Sequence, residues 1–366
     1  MEAARGVRPA ERANTSPIGA GLAFIPSGAP AACSFVAARG VGGATLRSLD
    51  LDLMKLLVTG GAGFIGSHLA RTFLDDGHDV HVVDDLSSGR RENLPDGVPL
   101  HVHDIRSTDA ADLVRRERFD ALVHEAAQMD VRRSVADPIF DATVNVLGFL
   151  NLMEAARASG VQKVLFASTG GAIYGEPAFG GPQTEDDPLR PLSPYGITKL
   201  TTEKYLFFYH ETYGIPYVAL RYANVYGPRQ SPHGEAGVVA IFTERLLRGE
   251  ATTINGEGTQ TRDYVFVGDV ASANRAALGY DGSGAFNVGT GVETDVNTLF
   301  GHIRRLVGSD APEQHGEGKA GEQRRSVLDV SRTAAALGWR PTVAIADGLA
   351  ETVAWFAEKR TREENG

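Results

Sequence analysis

The stretch Leu56-Leu-Val-Thr-Gly-Gly-Ala-Gly-Phe-Ile-Gly66 constrains the chain more than any other. A short apolar run breaks into glycines and resumes at once as the helical pattern Ser67 to Asp76. A strand therefore ends here and a helix begins. Gly60 and Gly61 permit the tight turn, Gly63 admits backbone N–H groups to a pyrophosphate, and Gly66 lets the helix pack against the strand. The phosphate charge then sits on the positive helix N-terminus. A second apolar run, Val80 to Val83, ends at Asp84-Asp85, at the spacing where a carboxylate meets the adenosine ribose. That carboxylate accepts from a 2′-hydroxyl and repels a 2′-phosphate, so the pattern implies NAD rather than NADP.

Composition narrows the partners. A net charge of −10 over 366 residues disfavours nucleic acid and anionic membrane surfaces. No unbroken apolar run is long enough to span a bilayer. The single cysteine, Cys33, excludes an internal disulfide and a thiolate metal cluster, and no metal site is expected. A reducing cytoplasm is the simplest compartment. Residues 1–53 are rich in Ala, Gly, Arg, Pro and Ser without a sustained apolar period, and the expectation is disorder. Met54 stands immediately before the first strand, so the extension also reads as an over-called start, with a targeting peptide as the alternative.

From Lys55 onward, strand and helix patterns alternate: Lys55–Thr59, Val80–Asp84, Leu100–Asp104, Ala121–His124, Val164–Ser168 and Tyr217–Tyr222 as strands, with long helices at Pro138–Ala158 and Pro194–Tyr213. Such alternation predicts an α/β chain with a doubly wound, Rossmann-type parallel sheet over 54–226. Asp137-Pro138 and Ser193-Pro194 each supply an N-cap followed by proline in the first turn. Residues 227–366 are less regular and read as a smaller substrate-binding lobe with segments returning to the sheet.

Tyr195 and Lys199 stand four residues apart, on one face of the second long helix. Spacing alone leaves them an ordinary surface pair. In a chain carrying a dinucleotide cradle, a lysine and a cationic nicotinamide ring are expected to favour tyrosinate. Lowering a phenol from about 10 to about 7 takes ~4 kcal/mol, which makes Tyr195 a general base.

At this point the sequence resembles the extended short-chain dehydrogenases/reductases, and within them the NAD-dependent nucleotide-sugar epimerases. The resemblance runs from about Met54 to the C-terminus. It rests on Thr59 to Gly66, Asp104-Ile105, His124-Glu-Ala-Ala127, Asn145-Val-Leu-Gly148, Ser168-Thr169 with Ile173-Tyr-Gly175, Tyr195 with Lys199, Arg221-Tyr-Ala-Asn224, and Arg262-Asp-Tyr264. By position it implies NAD contacts at Gly60, Gly63, Phe64, Ile65, Gly66, Asp84, Asp85, Asp104, Ile105, Ala126, Ala127 and Asn145. It implies catalytic roles for Thr169, Tyr195 and Lys199, and contacts to uridine diphosphate from Asn224, Asn255, Arg262 and Tyr264. Glu322 corresponds to the acid on the uridine ribose. Lys319 replaces the family's diphosphate arginine, leaving Arg324 or Arg325 to supply the missing fork. One extra residue after Thr169 keeps Ser168 open as the catalytic hydroxyl.

The resemblance also implies a reaction. Family dehydratases carry Asp-Glu directly after the catalytic threonine, and decarboxylases a glutamate. Here Gly170 and Gly171 stand there, which leaves reversible oxidation at carbon 4 of a UDP-hexose, hence epimerisation through a transient 4-keto sugar. Ser326, where a bulky tyrosine excludes N-acetyl sugars, implies tolerance of them. A homodimer through the two long helices is the family's arrangement. The competing classes are a related oxidoreductase with net NADH turnover and a non-catalytic nucleotide-binding protein.

Overall fold

The alternating strands assemble as a seven-stranded sheet in the order β10-β6-β5-β4-β1-β2-β3. In the computed structural model, which describes residues 53–177, 180–233, 237–318 and 323–365, the first six strands are β1 (Lys55–Thr59), β2 (Asp79–Asp84), β3 (Leu100–Val102), β4 (Ala121–His124), β5 (Lys163–Thr169) and β6 (Tyr217–Tyr222). The C-terminal part contributes β7 (Asn224–Tyr226), β8 (Thr252–Asn255), β9 (Thr261–Phe266), β10 (Gly284–Val288), β11 (Glu293–Asp295), β12 (Glu313–Gly316) and β13 (Arg325–Ser326). All pairings within the large sheet are parallel. The chain builds outward from β1 to β2 and β3, then returns to place β4 on the other side of β1. That reversal opens a crevice at the carboxyl ends of β1 and β4, where such sheets bind ligands. The reading of residues 1–53 as disordered lies outside the described residues except at Leu53.

Burial on both faces explains the near-continuous apolar strands. On β1, Leu56 and Val58 pack with Leu69 and Phe73 of the helix Phe64–Asp75. Leu57 points the other way, into a cluster with Phe149, Leu152 and Met153. The latter three lie on the long helix Pro138–Ser159. This helix is the exception to the expectation that nothing in the chain is long and apolar enough to cross a membrane. Its apolar face is core, and it also buries Asp141 and Asn145, which a lipid-facing helix would not. Its middle widens to a π-helix at Thr143–Gly148, around Asn145.

The N-caps read from the sequence form. Asp137 accepts from Phe140 N at 3.0 Å, and Ser193 Oγ accepts from Gly196 N at 3.2 Å, each followed by proline. In the C-terminal part, β9 pairs with β7, β11 and β13, and β8 pairs with β12. These strands pack with the helices Val238–Leu247, Val296–Val307 and Ile345–Asn365 around Phe242, Phe300, Leu299 and Leu349.

A buried ion pair pins β5 and β6 to the helix Pro194–Tyr213. Arg221 donates to both oxygens of Glu203, at 3.0 and 2.7 Å, and to Tyr174 Oη at 2.9 Å. Ser168 Oγ donates to Glu203 at 2.6 Å, and Tyr174 donates to Asn287 on β10 at 2.7 Å. Replacing Glu203 by Ala strands a buried guanidinium, so urea denaturation of the variant should show a loss of about 3–5 kcal/mol.

Candidate active site

The turn after β1 has the shape of a phosphate cradle. Gly60 has φ +66°, and a Cβ there would stand 2.8 Å from Ala126 N. Any other residue would prop β1 and β4 apart. A Cβ on Gly66 would collide with the Gly60 carbonyl, so helix and turn touch through backbone alone. No side chain caps the helix N-terminus at Gly63, which leaves its first N–H groups for an anion. Phe64 and Ile65 pack toward the C-terminal core. These features fit the pyrophosphate of a dinucleotide.

Asp84 closes β2 and accepts from Ala62 N at 3.0 Å and Leu86 N at 2.8 Å. Burial raises its pKa despite these donors. Asp85 turns outward and accepts from Ser87 N at 2.9 Å. Asp104 accepts from the Arg106 guanidinium, which holds its carboxyl below the usual range. Ile105 is buried, and its carbonyl accepts from Asn151 at 2.8 Å. Ala126 N donates to Thr59 Oγ1 at 3.2 Å, and Ala127 follows it, half-buried. Asn145 exchanges hydrogen bonds with the Gln128 backbone at 2.8 and 3.0 Å and donates to Asp141 at 3.1 Å. Its amide thus holds the turn after β4.

Thr169, at the end of β5, lies against Tyr195. Its hydroxyl lowers the pKa of the Tyr195 phenol and accepts from Ala172 N at 3.2 Å. Strand alternation sends Ser168 the other way, to Glu203, so the structure separates the two hydroxyls that sequence left open. Lys199 Nζ donates to Ala167 O at 2.7 Å and stands 5.9 Å from the Tyr195 ring centre.

The expected lowering of Tyr195 counts on a bound nicotinamide ring as well as Lys199; the protein's own surroundings act the other way. Burial pushes the phenol well up, and the carboxylates of Asp141 and Glu125 raise it further, while Thr169 alone pulls it down. Burial lowers Lys199 to about 8 against the pull of the same two acids. The protein's own groups therefore hold Tyr195 as a phenol.

Glu125, Asp141 and Thr198 were missed in the sequence. Glu125 sat inside the motif His124 to Ala127 with no role attached. Asp141 precedes Asn145 by one helical turn, the signal that links them. It is fully buried and accepts from Gln128 at 2.9 Å and Thr198 at 2.8 Å.

Across the cleft, Asn224 opens β7, with its side-chain oxygen beside Gly171. Arg262 donates to Thr261 O at 2.8 Å and does not rely on Asp263, which binds Thr290, Gly291 N and Leu328 N. Tyr264 is 4 % exposed, in the C-terminal core. Asn255 ends β8, and Ser326 is buried on β13 in register with Arg262. Arg325 pairs with Glu293 at 2.8 Å, and Arg324 is exposed. Lys319 and Glu322 lie outside the described residues.

Residues 56–289 match the model of the NAD dependent epimerase/dehydratase family. The chain belongs to this family. It is 50% identical over 314 residues to a UDP-glucose 4-epimerase of Mycolicibacterium smegmatis, covering 84% of this chain and 99% of that one. Among solved structures it resembles the UDP-glucose 4-epimerase of Thermotoga maritima with UDP-glucose, with a TM-score of 0.81 and 45% identity over 83% of this chain and 99% of that one. It also resembles the Thermus thermophilus enzyme in complex with NAD, with a TM-score of 0.79 and 46% identity over 82% of this chain and 98% of that one. This family member is an NAD-dependent epimerase, and NAD is its cofactor.

The two hydroxyls predict opposite phenotypes. Thr169→Ala should lower turnover by roughly 10²-fold or more with little change in melting temperature, because it removes the hydroxyl that acts on the proton-transferring group. Ser168→Ala should leave turnover near wild type and cost about 1 kcal/mol of stability through Glu203. Steady-state rates and urea melts on both variants check this.

Proposed function

We propose that this epimerase inverts carbon 4 of a UDP-hexose, interconverting UDP-glucose and UDP-galactose. The observation that carries the reading is the Tyr195 phenol beside Thr169, one helical turn from Lys199, at the sheet edge that carries the dinucleotide cradle. When bound, the nicotinamide supplies a reversible hydride acceptor at the sugar carbon. Tyr195 takes the 4-hydroxyl proton and later returns it, and Thr169 fixes the direction of the phenol oxygen. Lys199, anchored on Ala167 O, keeps protons for a ribose and supplies positive charge beside the phenol. Because the protein's own groups hold the phenol high, Tyr195 would reach tyrosinate only with the added positive charge of a bound cofactor beside Lys199.

Asn224, Asn255, Arg262 and Tyr264, with Lys319 and Glu322, are proposed to hold the uridine diphosphate while the keto sugar turns. Elimination is disfavoured at the strand end, where Gly170 and Gly171 carry no acid and a Cβ on Gly170 would press on the Leu328 side chain at 2.5 Å. Ser326 is small, which supports acceptance of N-acetylated UDP-hexoses. Exposed Ile139, Leu147, Ile197 and Phe208 on the two long helices support a homodimer, and the single cysteine supports a cytoplasmic setting.

NMR of purified protein with UDP-galactose and no added NAD is expected to show UDP-glucose. Net NADH formation in place of epimer would favour the oxidoreductase reading, and loss of turnover in Tyr195→Phe would exclude a purely binding role. Conversion of UDP-glucose but not of UDP-N-acetylglucosamine would remove the N-acetyl proposal.

A further inference from the structure

The mechanism leaves one acid beside the catalytic pair unused. Glu125 follows β4 and directly precedes Ala126, half-buried at the crevice. Tyr222 Oη donates to its Oε1 at 2.9 Å, and Asn274 Nδ2 donates to that same phenol at 2.8 Å. Asn274 is itself tied to Val270 O at 2.9 Å. With the amide on its acceptor side, the phenol has its proton committed to the carboxylate, so the clamp is built for an acceptor.

The local charges do not cancel. Lys199 is the cation of this corner, and it is opposed by Glu125 and by Asp141, whose bound partners Gln128, Asn145 and Thr198 are all neutral. Oxidised and reduced nicotinamide dinucleotides differ by one positive charge on the ring. A carboxylate held in a crevice acts on that charge with little screening. An epimerase returns its hydride in every turnover, so a resting molecule that holds the reduced form is out of service.

We propose that Glu125, clamped by Tyr222 and Asn274 beside Lys199, is a charge-setting residue that makes the crevice favour the oxidised, cationic dinucleotide over the reduced, neutral one. Tyr222 from β6 and Lys199 from the helix Pro194–Tyr213 act on Glu125, Tyr195 of that helix feels its charge, Asp141 from the helix Pro138–Ser159 acts on the same Tyr195 and Lys199, and the preceding His124 on β4 is kept neutral by burial with a pKa of about 3. Burial pushes Glu125 up to about 7. Its charge is therefore present above that pH and lost below it, and the preference grows as pH rises through 7. This goes beyond the choice of sugar and rests on the cofactor alone.

The test equilibrates the protein with equimolar NAD⁺ and NADH, removes free nucleotide, and measures the bound ratio after denaturation. In Glu125→Gln the amide oxygen still accepts from Tyr222 but the charge is gone. At pH about 8.5 this variant should hold roughly tenfold more NADH relative to NAD⁺ than wild type. Glu125→Asp should stay near wild type, and at pH about 6 wild type and Glu125→Gln should converge. Equal ratios in wild type and Glu125→Gln at both pH values overturn the proposal. So does a shift in Glu125→Asp as large as in Glu125→Gln, which would mean shape rather than charge. If Glu125→Gln does not fold, Tyr222→Phe serves: it loosens the clamp and should shift the ratio the same way, and an unchanged ratio overturns the proposal. Sugar turnover is not read, so a failure with every UDP-hexose leaves this result intact.

Discussion

The site depends on how closely the ends of β1 and β4 approach one another. Two backbones meet at Gly60 and Ala126 with no room for a Cβ between them. That contact sets the width of the crevice, and the Thr59 hydroxyl, shared by His124 Nδ1 at 2.9 Å and Ala126 N at 3.2 Å, locks it from the side. From there, order spreads outward: Asn145 holds the turn after β4, Asp141 holds Asn145, and Thr198 joins both to the helix that carries Tyr195 and Lys199. Geometry at the phenol is thus inherited from a contact between two turns.

The electrostatics follow from the same compactness. Burying a lysine, a phenol and the Glu125 carboxylate together forces these three away from their solution behaviour. Lysine falls to about 8, Glu125 rises to about 7, and the phenol rises well above its usual value. The arrangement makes the base latent in the protein by itself.

Much of this was legible in the residues and some was not. The glycine turn, the Asp84 strand end, both proline-started helices and the Tyr195–Lys199 spacing are local patterns, and local patterns survive in sequence. Strand alternation between Ser168 and Thr169 was equally present but needed the register to decide which side faced the phenol. The acids that oppose tyrosinate at Tyr195, Asp141 and Glu125, could not be read, because they come from segments 54 and 70 residues away in sequence. The roles of Arg325 and Asp263 could not be read either, since Glu293 and the Thr290–Gly291 loop meet them only through tertiary pairing. Periodicity also gave no warning that Pro138–Ser159, with its apolar length, would be spent on the core.

The contact between Gly170 and Leu328 bears on the order in which such a chain can change. A side chain at 170 meets Leu328 at once, whereas position 171 has only Asn224 within reach, at 3.8 Å. An ancestor or descendant acquiring an acid after Thr169 could therefore take it at 171 in one step. At 170 it would have to displace the side chain of Leu328, a buried member of the small cluster with Ile173 and Tyr174. The two neighbouring glycines are thus unequal as starting points: one is held by packing from a distant segment, the other is open to drift.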